Sequence, residues 1–176
     1  RARDGHTGRL VALKVLARRG PIAVAGFHRE AALTERLSHP AVAGYVAQGM
    51  TPAGAPWLAL DWVEGPTLRE RLRDGPLTAT ATLALGRRVA DALARAHRAG
   101  VVHGDVKPGN LLLADGDPGR VRLTDFGVAA PAGQGSELGA GTPAYMAPEQ
   151  LRAGAPVDGR ADVFALGRVL AECLGG

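Results

Sequence analysis

The chain of 176 residues has an apolar fraction of 46% and a formal net charge of +4, values that exclude a disordered polyampholyte. It has no run of about 18 apolar residues that could span a bilayer, and its opening residues lack the apolar core of a secretory signal. A single cysteine, Cys173, excludes an internal disulfide and any metal site built from several thiolates. We therefore expect a cytoplasmic chain, and a membrane anchor in a longer protein would lie outside this segment.

The basic residues are unevenly chosen. Arginines are scattered singly and in pairs and aromatic residues are few, so we expect no nucleic-acid partner. Of 21 basic residues only Lys14 and Lys107 are lysine, and Asn110 is the only asparagine. Arginine is a planar fork, whereas lysine is a compact point charge that fits against a phosphate. An arginine-rich coding bias could leave these residues behind at random, but all three fall in motifs that carry chemistry.

The first third of the chain predicts strands and one helix. The segment "GRLVALKVLA" is typical of a strand opened by a glycine turn. An amphipathic helix, "FHREAALTERL", follows from Phe27 and is stopped by Pro40. The runs "YVAQGM" and "PWLALDWV" predict a hairpin around the turn-rich "TPAGA".

The remainder is predicted to be mainly helical. Thr67 caps a short helix, "TLRERLRDG", and a longer helix runs from Thr78 to Ala99 and ends at Gly100. The apolar positions near helical spacing in the longer helix are Leu83, Val89, Leu93 and Ala96. The runs "LLL" and "VRL" predict short strands around an Asp-Gly-Asp-Pro-Gly turn, and "ADVFALGRVLAECLGG" predicts a buried helix.

Lys14 lies in the middle of an apolar strand, and taken alone it is a strand lysine that points to water. The following helix favours another interpretation, because at about 100° per residue Glu30 falls within the arc of Ala31, Thr34 and Leu37. A carboxylate on an inward face is costly unless it is paired. We therefore predict that Glu30 pairs with Lys14 and holds the ammonium group where it can meet a polyphosphate.

The loop "HGDVKPGN", residues 103–110, places three different functional groups within six residues. Asp105 could accept or orient a hydroxyl proton, Lys107 could neutralise a transferring phosphoryl group, and Asn110 offers an oxygen to Mg²⁺. A polar turn between two strands is the alternative, because these are also turn residues. The later "TDFG" disfavours the plain turn, since Asp125 ends a strand predicted to run back beside the loop and would complete a hard-cation site with Asn110.

With these motifs the chain resembles the protein kinase family over nearly its whole length. The matching segments follow in the family's order: "VALKVL", the helix of Glu30, "HGDVKPGN", "TDFG", "GTPAYMAPE" and "ADVFALG", whose Asp162 is similar to the residue that braces the catalytic loop. The resemblance implies an α+β, two-lobed fold with a partial N-lobe at residues 1–64, a hinge near residues 61–65 and a mainly helical, partial C-lobe at residues 65–176. It also implies a domain truncated at both ends, because the glycine-rich phosphate loop and the last helices are missing.

The resemblance further implies ATP and Mg²⁺ as cofactors and assigns the site. Lys14, fixed by Glu30, would hold the α and β phosphates, and Asn110 with Asp125 would bind Mg²⁺. Asp105 would act as base and Lys107 would steady the γ-phosphate. The implied adenine contacts are Ala12 and Leu112 on the two faces of the base, the backbone of Asp61 to Val63 as the hinge, and Leu60 as the gatekeeper.

The motifs also narrow the acceptor. Lys107 together with Thr142 is similar to the serine/threonine branch, and the wording of "GTPAYMAPEQ" resembles bacterial members, so protein substrates and autophosphorylation are implied. Small-molecule phosphotransferases of the aminoglycoside and choline type also write HGD with an asparagine five residues on. They commonly lack the lysine at Lys107, the DFG triplet and the APE segment. A pseudokinase scaffold is the second alternative, but such proteins usually lose one of the four residues Lys14, Asp105, Asn110 and Asp125, all of which are kept here.

One position departs from the family pattern. Gly104 stands where most members have the arginine that grips a phosphate on the activation segment, and between Phe126 and Gly141 only Ser136 carries a hydroxyl. We therefore predict activity that needs no phosphorylation in that segment. A Ser136→Ala protein that lost most of its activity would contradict this.

Overall fold

The computed structural model describes residues 1–16, 21–126, 130–131, 142–152 and 155–176. Its strands are β1 (Ala2–Arg3), β2 (Leu10–Val15), β3 (Tyr45–Met50), β4 (Pro56–Asp61), β5 (Val101–Val102), β6 (Leu111–Leu113), β7 (Val121–Leu123) and β8 (Ala130–Pro131). Its α-helices are α1 (Pro21–Arg36), α2 (Leu68–Leu72), α3 (Ala79–Arg98) and α4 (Gly159–Cys173). The predicted α+β class is therefore confirmed. The part of the chain described here contains no helix long and apolar enough to cross a membrane.

The first four strands form one antiparallel sheet in the order β1-β2-β4-β3. The predicted hairpin of β3 and β4 is present, and β2 pairs with β4 so that Lys14 lies opposite Leu58. Helix α1 covers this sheet by packing Phe27 and Ala31 against Leu58 and Leu60. This small apolar cluster fixes the face of α1 that carries Glu30.

Helix α1 begins at Pro21, and the prediction of a start at Phe27 was wrong. Proline is compatible with the first helical turn, because its missing N–H would have no partner there and its fixed φ suits a helix. The residues between Pro21 and Phe27 lack an amphipathic pattern, so the periodicity signal began one and a half turns late.

Helix α3 is the centre of the larger apolar core, and its predicted span is confirmed. Leu83 was wrongly placed on its inward face, since 72% of this residue is exposed to solvent. Leu83 lies six residues before Val89, and six steps of about 100° rotate it by about 240°, away from the core. The residues buried on α3 are Thr82, Leu85, Gly86, Val89, Ala92, Leu93 and Ala96.

Helix α4 packs against α3, but the prediction that it is buried holds for one face only. A Cβ atom at Gly86 of α3 would lie 3.0 Å from Leu170 Cδ2, so glycine permits this close approach. On the other face Val163 is 62% exposed and Phe164 is 43% exposed. The apolar composition of the segment concealed this asymmetry, because both faces carry hydrophobic residues.

The sheet is joined to the helical part through the loop between α1 and β3. Leu123 of β7 donates its N–H to Ala41 O at 2.8 Å and accepts from Ala43 N at 2.9 Å. Arg88 of α3 donates to Pro40 O and to Val121 O, both at 3.0 Å. These contacts hold β7, and hence Asp125 two residues after it, at a fixed position relative to α1.

Candidate active site

Lys14 is the centre of an ionic cluster that joins three elements. Its Nζ lies 2.8 Å from both carboxylate oxygens of Glu30 on α1 and 2.6 Å from Asp125 Oδ1, two residues after β7. Glu30 is 3% exposed, whereas the side chains of Lys14 and Asp125 are 42% and 45% exposed. The ion pair predicted between Lys14 and Glu30 is therefore present, and Asp125 adds a second carboxylate that faces solvent.

The pKa values of this cluster follow from burial and from the shared ammonium group. Burial lowers the pKa of Lys14, but hydrogen bonds to Asp125 and Glu30 outweigh it and leave that pKa above its usual value. Burial raises the pKa of Glu30 despite its contact with Lys14. Burial opposes ionisation of Asp125, but the hydrogen bond from Lys14 holds the pKa of this carboxyl below its usual value. Asp125 is thus the more strongly ionised carboxylate and the one open to the cleft.

Asp125 adopts a left-handed backbone conformation, with φ of 68°. This conformation is uncommon outside glycine but is accessible to aspartate. The neighbouring Phe126 is 2% exposed, and its ring lies 4.5 Å from that of His103, centroid to centroid. In this conformation Phe126 is buried beside the loop while the carboxylate of Asp125 contacts Lys14.

Asp105 belongs to a second cluster, formed by the predicted catalytic loop and Thr142. Asp105 Oδ2 accepts from Lys107 Nζ at 2.5 Å, and its Oδ1 accepts from the backbone N–H of Thr142 at 3.0 Å. Lys107 Nζ also donates to Thr142 Oγ1 at 2.8 Å. Asp105 is only 11% exposed at its side chain, so these charge-assisted hydrogen bonds hold the carboxylate in one orientation.

Asp162 holds the backbone of this loop from below. It is 1% exposed at the start of α4, and its carboxylate accepts from His103 N at 2.9 Å and from Gly104 N at 2.8 Å. His97 Nε2 lies 2.7 Å from the same carboxylate. The bracing contact implied for Asp162 is therefore present, and the helix that carries it is anchored in the apolar core.

His103 links the loop to the chain before Asp125. Its Nδ1 accepts from Asp105 N at 3.2 Å, and its Nε2 lies 3.2 Å from Thr124 O. These partners require a proton on Nε2 and none on Nδ1, which defines the neutral tautomer. Thr124 also donates its N–H to Asn110 O at 3.0 Å. The two clusters are thus tied together through backbone groups.

A cleft of about 230 Å³ lies between the sheet and the loop. Its lining residues are Ala12, Leu13, Lys14, Glu30, Leu60, Gly109, Asn110, Thr124 and Asp125. The structure therefore brings together six residues predicted to contact a nucleotide or to support that contact, from both parts of the molecule. A larger groove of about 540 Å³ lies on the opposite face of the sheet and contains none of the predicted site residues.

Three predicted adenine contacts are not part of this lining. Asp61 ends β4 and donates its N–H to Gly44 O at 2.8 Å, and Val63 is buried just beyond the strand. Leu112 is half-buried in β6 and forms a bridge with Thr67. Their contacts with an adenine ring remain predictions.

The donor groups fit the magnesium ion that the motifs imply. Asn110 Nδ2 donates to Asp105 O at 2.9 Å, which leaves the amide oxygen of Asn110 available to a cation. Asp125 supplies an ionised carboxylate at the same cleft. An amide oxygen and a carboxylate are oxygen ligands that Mg²⁺ accepts while it keeps waters and substrate phosphates.

Two residues of the site were not predicted from the sequence to contact the catalytic loop, and one predicted residue lies outside the part of the chain that the structure describes. Thr142 was used only to choose the branch, and Gln150 was not singled out, although Gln150 Nε2 donates to Gly104 O at 2.9 Å. The position of Gln150 directly after the APE triplet was the available signal. Ser136 lies outside the residues that the structure describes, so its predicted role stays a prediction.

Comparison with known proteins agrees with this geometry. The sequence model of the protein kinase domain family matches residues 1–176, which is the whole chain. The chain therefore belongs to the protein kinase family, which confirms the resemblance drawn from its motifs.

Three similar proteins come from bacteria. The chain is 40% identical over 184 residues to the serine/threonine-protein kinase PknL of Mycobacterium tuberculosis, covering 100% of this chain and 45% of that protein. It is 38% identical over 188 residues to PknB of the same species, covering 99% of this chain and 30% of that protein. A probable serine/threonine-protein kinase of Streptomyces coelicolor is 37% identical over 186 residues, with 98% and 27% covered. The chain thus spans between about a quarter and just under half of the length of these relatives.

Proposed function

We propose that this chain is the catalytic part of an ATP-dependent serine/threonine protein kinase that uses Mg²⁺. The observation that carries the proposal is the fixed carboxylate of Asp105, which accepts from Lys107 Nζ and from the backbone of Thr142. Thr142 belongs to the predicted motif "GTPAYMAPE", so this motif contacts the proposed base through Thr142. A small-molecule phosphotransferase would have no need of such a contact.

Each residue of the site has a separate task in this proposal. Lys14 neutralises charge on the α and β phosphates, and Glu30 holds its ammonium group in place. Asp105 accepts the proton of the acceptor hydroxyl. The oxygen of that hydroxyl bonds to the γ-phosphorus while the bond from the γ-phosphorus to the ADP oxygen breaks. Lys107 stabilises the charge of the transferring group.

Asn110 and Asp125 would hold the metal ion. Bound Mg²⁺ supplies positive charge beside the phosphate oxygens. Lys14 already contacts Asp125 at 2.6 Å, so a cation at Asp125 must compete with or displace this contact. We propose that nucleotide binding draws Lys14 toward the phosphates and frees Asp125 for the metal.

Partners and location follow from the proposed reaction. Acceptors are serine or threonine hydroxyls of proteins, as the names of the relatives suggest. We propose that the kinase itself is among these acceptors. Because ATP is the donor, we propose a cytoplasmic catalytic part.

The proposal is tested by phosphate transfer with labelled ATP and Mg²⁺. The full-length protein is assayed on itself and on a generic protein acceptor, beside Asp105→Asn and a matched control, Asp74→Asn, which changes an exposed aspartate. We expect label on serine or threonine in the wild type and in the control, and its loss in Asp105→Asn. Label on amino alcohols or aminoglycosides alone would instead indicate a small-molecule phosphotransferase, and bound ATP without transfer would indicate a scaffold.

A further inference from the structure

Gly104 directly precedes Asp105 and is a position of high intrinsic backbone freedom in the catalytic loop. It has a left-handed backbone with φ of 78°, and as a glycine it has more conformational freedom to lose than any other residue. With no side chain, it can be held only by contacts to its backbone. Its N–H donates to Asp162 Oδ1 at 2.8 Å, and its C=O accepts from Gln150 Nε2 at 2.9 Å.

The side-chain amide of Gln150 is used at both ends. Its Oε1 accepts from the backbone N–H of Ala147 at 3.0 Å while its Nε2 donates to Gly104 O. Gln150 is 4% exposed and Ala147 is fully buried. The opposite amide orientation would set two donors against each other and two acceptors against each other, so these partners define the orientation.

The contact with Gln150 bears directly on Asp105. The peptide group between Gly104 and Asp105 presents its C=O to Gln150 and its N–H to His103 Nδ1 at 3.2 Å. Rotation about the Cα–C bond of Gly104 would turn this peptide group, move the Cα atom of Asp105 and break the orientation set by Lys107 and Thr142. The amide of Gln150 therefore opposes the rotation that a glycine at 104 would otherwise permit.

We propose that Gln150 is a positioning residue for Asp105, which fixes the Gly104–Asp105 peptide group and ties residues 147–150 to the catalytic loop without any phosphate group. This inference rests on the proposed kinase function. Gln150 acts through backbone atoms, and it is not among the residues that line the cleft between the sheet and the loop. The described contacts of Gln150 include neither Lys14 nor Asp125, so its effect concerns phosphoryl transfer rather than ATP binding.

The test compares Gln150→Glu with Gln48→Glu in the full-length protein. The two substitutions make the same chemical change, but Gln48 is exposed on β3 and is not among the residues that line the cleft. A carboxylate at 150 would place an acceptor against Gly104 O, and we expect kcat to fall about 100-fold, as for a misplacement of about 1 Å. We expect the KM for ATP to stay within twofold of the wild type and Gln48→Glu to leave both constants unchanged.

A second variant separates positioning from folding. Gln150→Met keeps the approximate length and volume of the side chain and removes both hydrogen bonds, so it tests the proposal if the buried carboxylate prevents folding. We expect the same loss of kcat with an unchanged KM for ATP, measured well below the unfolding midpoint. A kcat within twofold of the wild type in a folded variant would overturn the proposal, as would a parallel loss of ATP binding.

The two hypotheses fail in different ways. If the wild type and Gln48→Glu transfer no phosphate to protein, the kinase function fails, and the positioning role fails with it. If both transfer phosphate and the Gln150 variants do so equally well, only the role of Gln150 is overturned.

Discussion

The clusters around Asp105 and around Lys14 differ in how far apart along the chain their members lie. Lys107 and Asn110 contact Asp105 from two and five residues away, and the backbone of their loop is held by buried Asp162. Lys14 reaches Glu30 across 16 residues and Asp125 across 111 residues. The first cluster is therefore organised mainly by one loop, whereas the second exists only where three elements meet.

The clusters also differ in solvent exposure. The side chains of Lys107 and Asp105 are 22% and 11% exposed, and those of Lys14 and Asp125 are 42% and 45% exposed. Half-exposed charges are screened by water and salt and can exchange partners at small cost. The Asp105 cluster is therefore held in place before a ligand binds, whereas the exposed charges of the Lys14 cluster can rearrange around a ligand.

Of the substitutions that follow, Lys14→Arg is expected to have the largest effect on activity. The substitution keeps a positive charge between Glu30 and Asp125, but a planar guanidinium cannot occupy the place of a compact ammonium group. We expect phosphate transfer to fall by about 100-fold or more, with little change in the thermal unfolding midpoint. Transfer assays and thermal melts of one preparation provide the measurement. Wild-type activity in this variant would show that any cation suffices at this position and would contradict the specific role of the ammonium group.

Asp162→Asn should affect stability and activity together. In the wild type the backbone N–H groups of His103 and Gly104 share one buried carboxylate. The amide of the variant would place a donor against one of these N–H groups. We expect a loss of about 2–3 kcal/mol in the free energy of unfolding, measured by urea titration, and a matching loss of transfer.

Asp74→Asn is the control for Asp162→Asn, because it makes the same change at an exposed position. Unchanged stability in Asp162→Asn would mean that the Asp105 loop holds its shape without this brace.

Thr142→Val should have an intermediate effect. Valine matches the shape of threonine but removes the oxygen that accepts from Lys107 Nζ at 2.8 Å. A lost hydrogen bond to a charged group of about 1.5 kcal/mol corresponds to about a tenfold loss of kcat. Thr142→Ser restores the hydroxyl and should recover most of the activity, so equal rates for the two variants would assign no role to this oxygen.

The smallest expected effect concerns Tyr145, which follows Thr142 in the same segment. Burial and a hydrogen bond of 2.6 Å to Glu172 raise the pKa of Tyr145 from 10.0 to about 12. Because the folded protein retains the phenol proton more tightly, this stabilisation is complete below pH 10 and is lost as the pH rises through about 12.

The chain has two tyrosines, so Tyr45→Phe leaves the phenolate absorbance of Tyr145 alone to be titrated. Ionisation near pH 10 in this variant would show that Tyr145 is not held by Glu172.

Much of the fold followed from local patterns. The hairpin of β3 and β4, the cap at Thr67 and the span of α3 agreed with the structure, because turns, caps and helical periods depend on neighbouring residues. The start of α1 was missed, since its first turns carry no amphipathic pattern. The outward orientation of Leu83 follows from helix geometry. The prediction missed this orientation because an apolar residue within an apolar segment was taken to be buried.

The functional groups of the site could be predicted from the amino-acid sequence alone. The order and spacing of its motifs brought Asp105, Lys107 and Asn110 into one loop and identified the protein kinase family. The contact of Asp125 with Lys14 and the hydrogen bond from Gln150 to the carbonyl of Gly104 are visible only in the folded structure. Contacts across 111 and 46 residues depend on how the sheet, the loop and the helices pack, and no local pattern of residues specifies that distance.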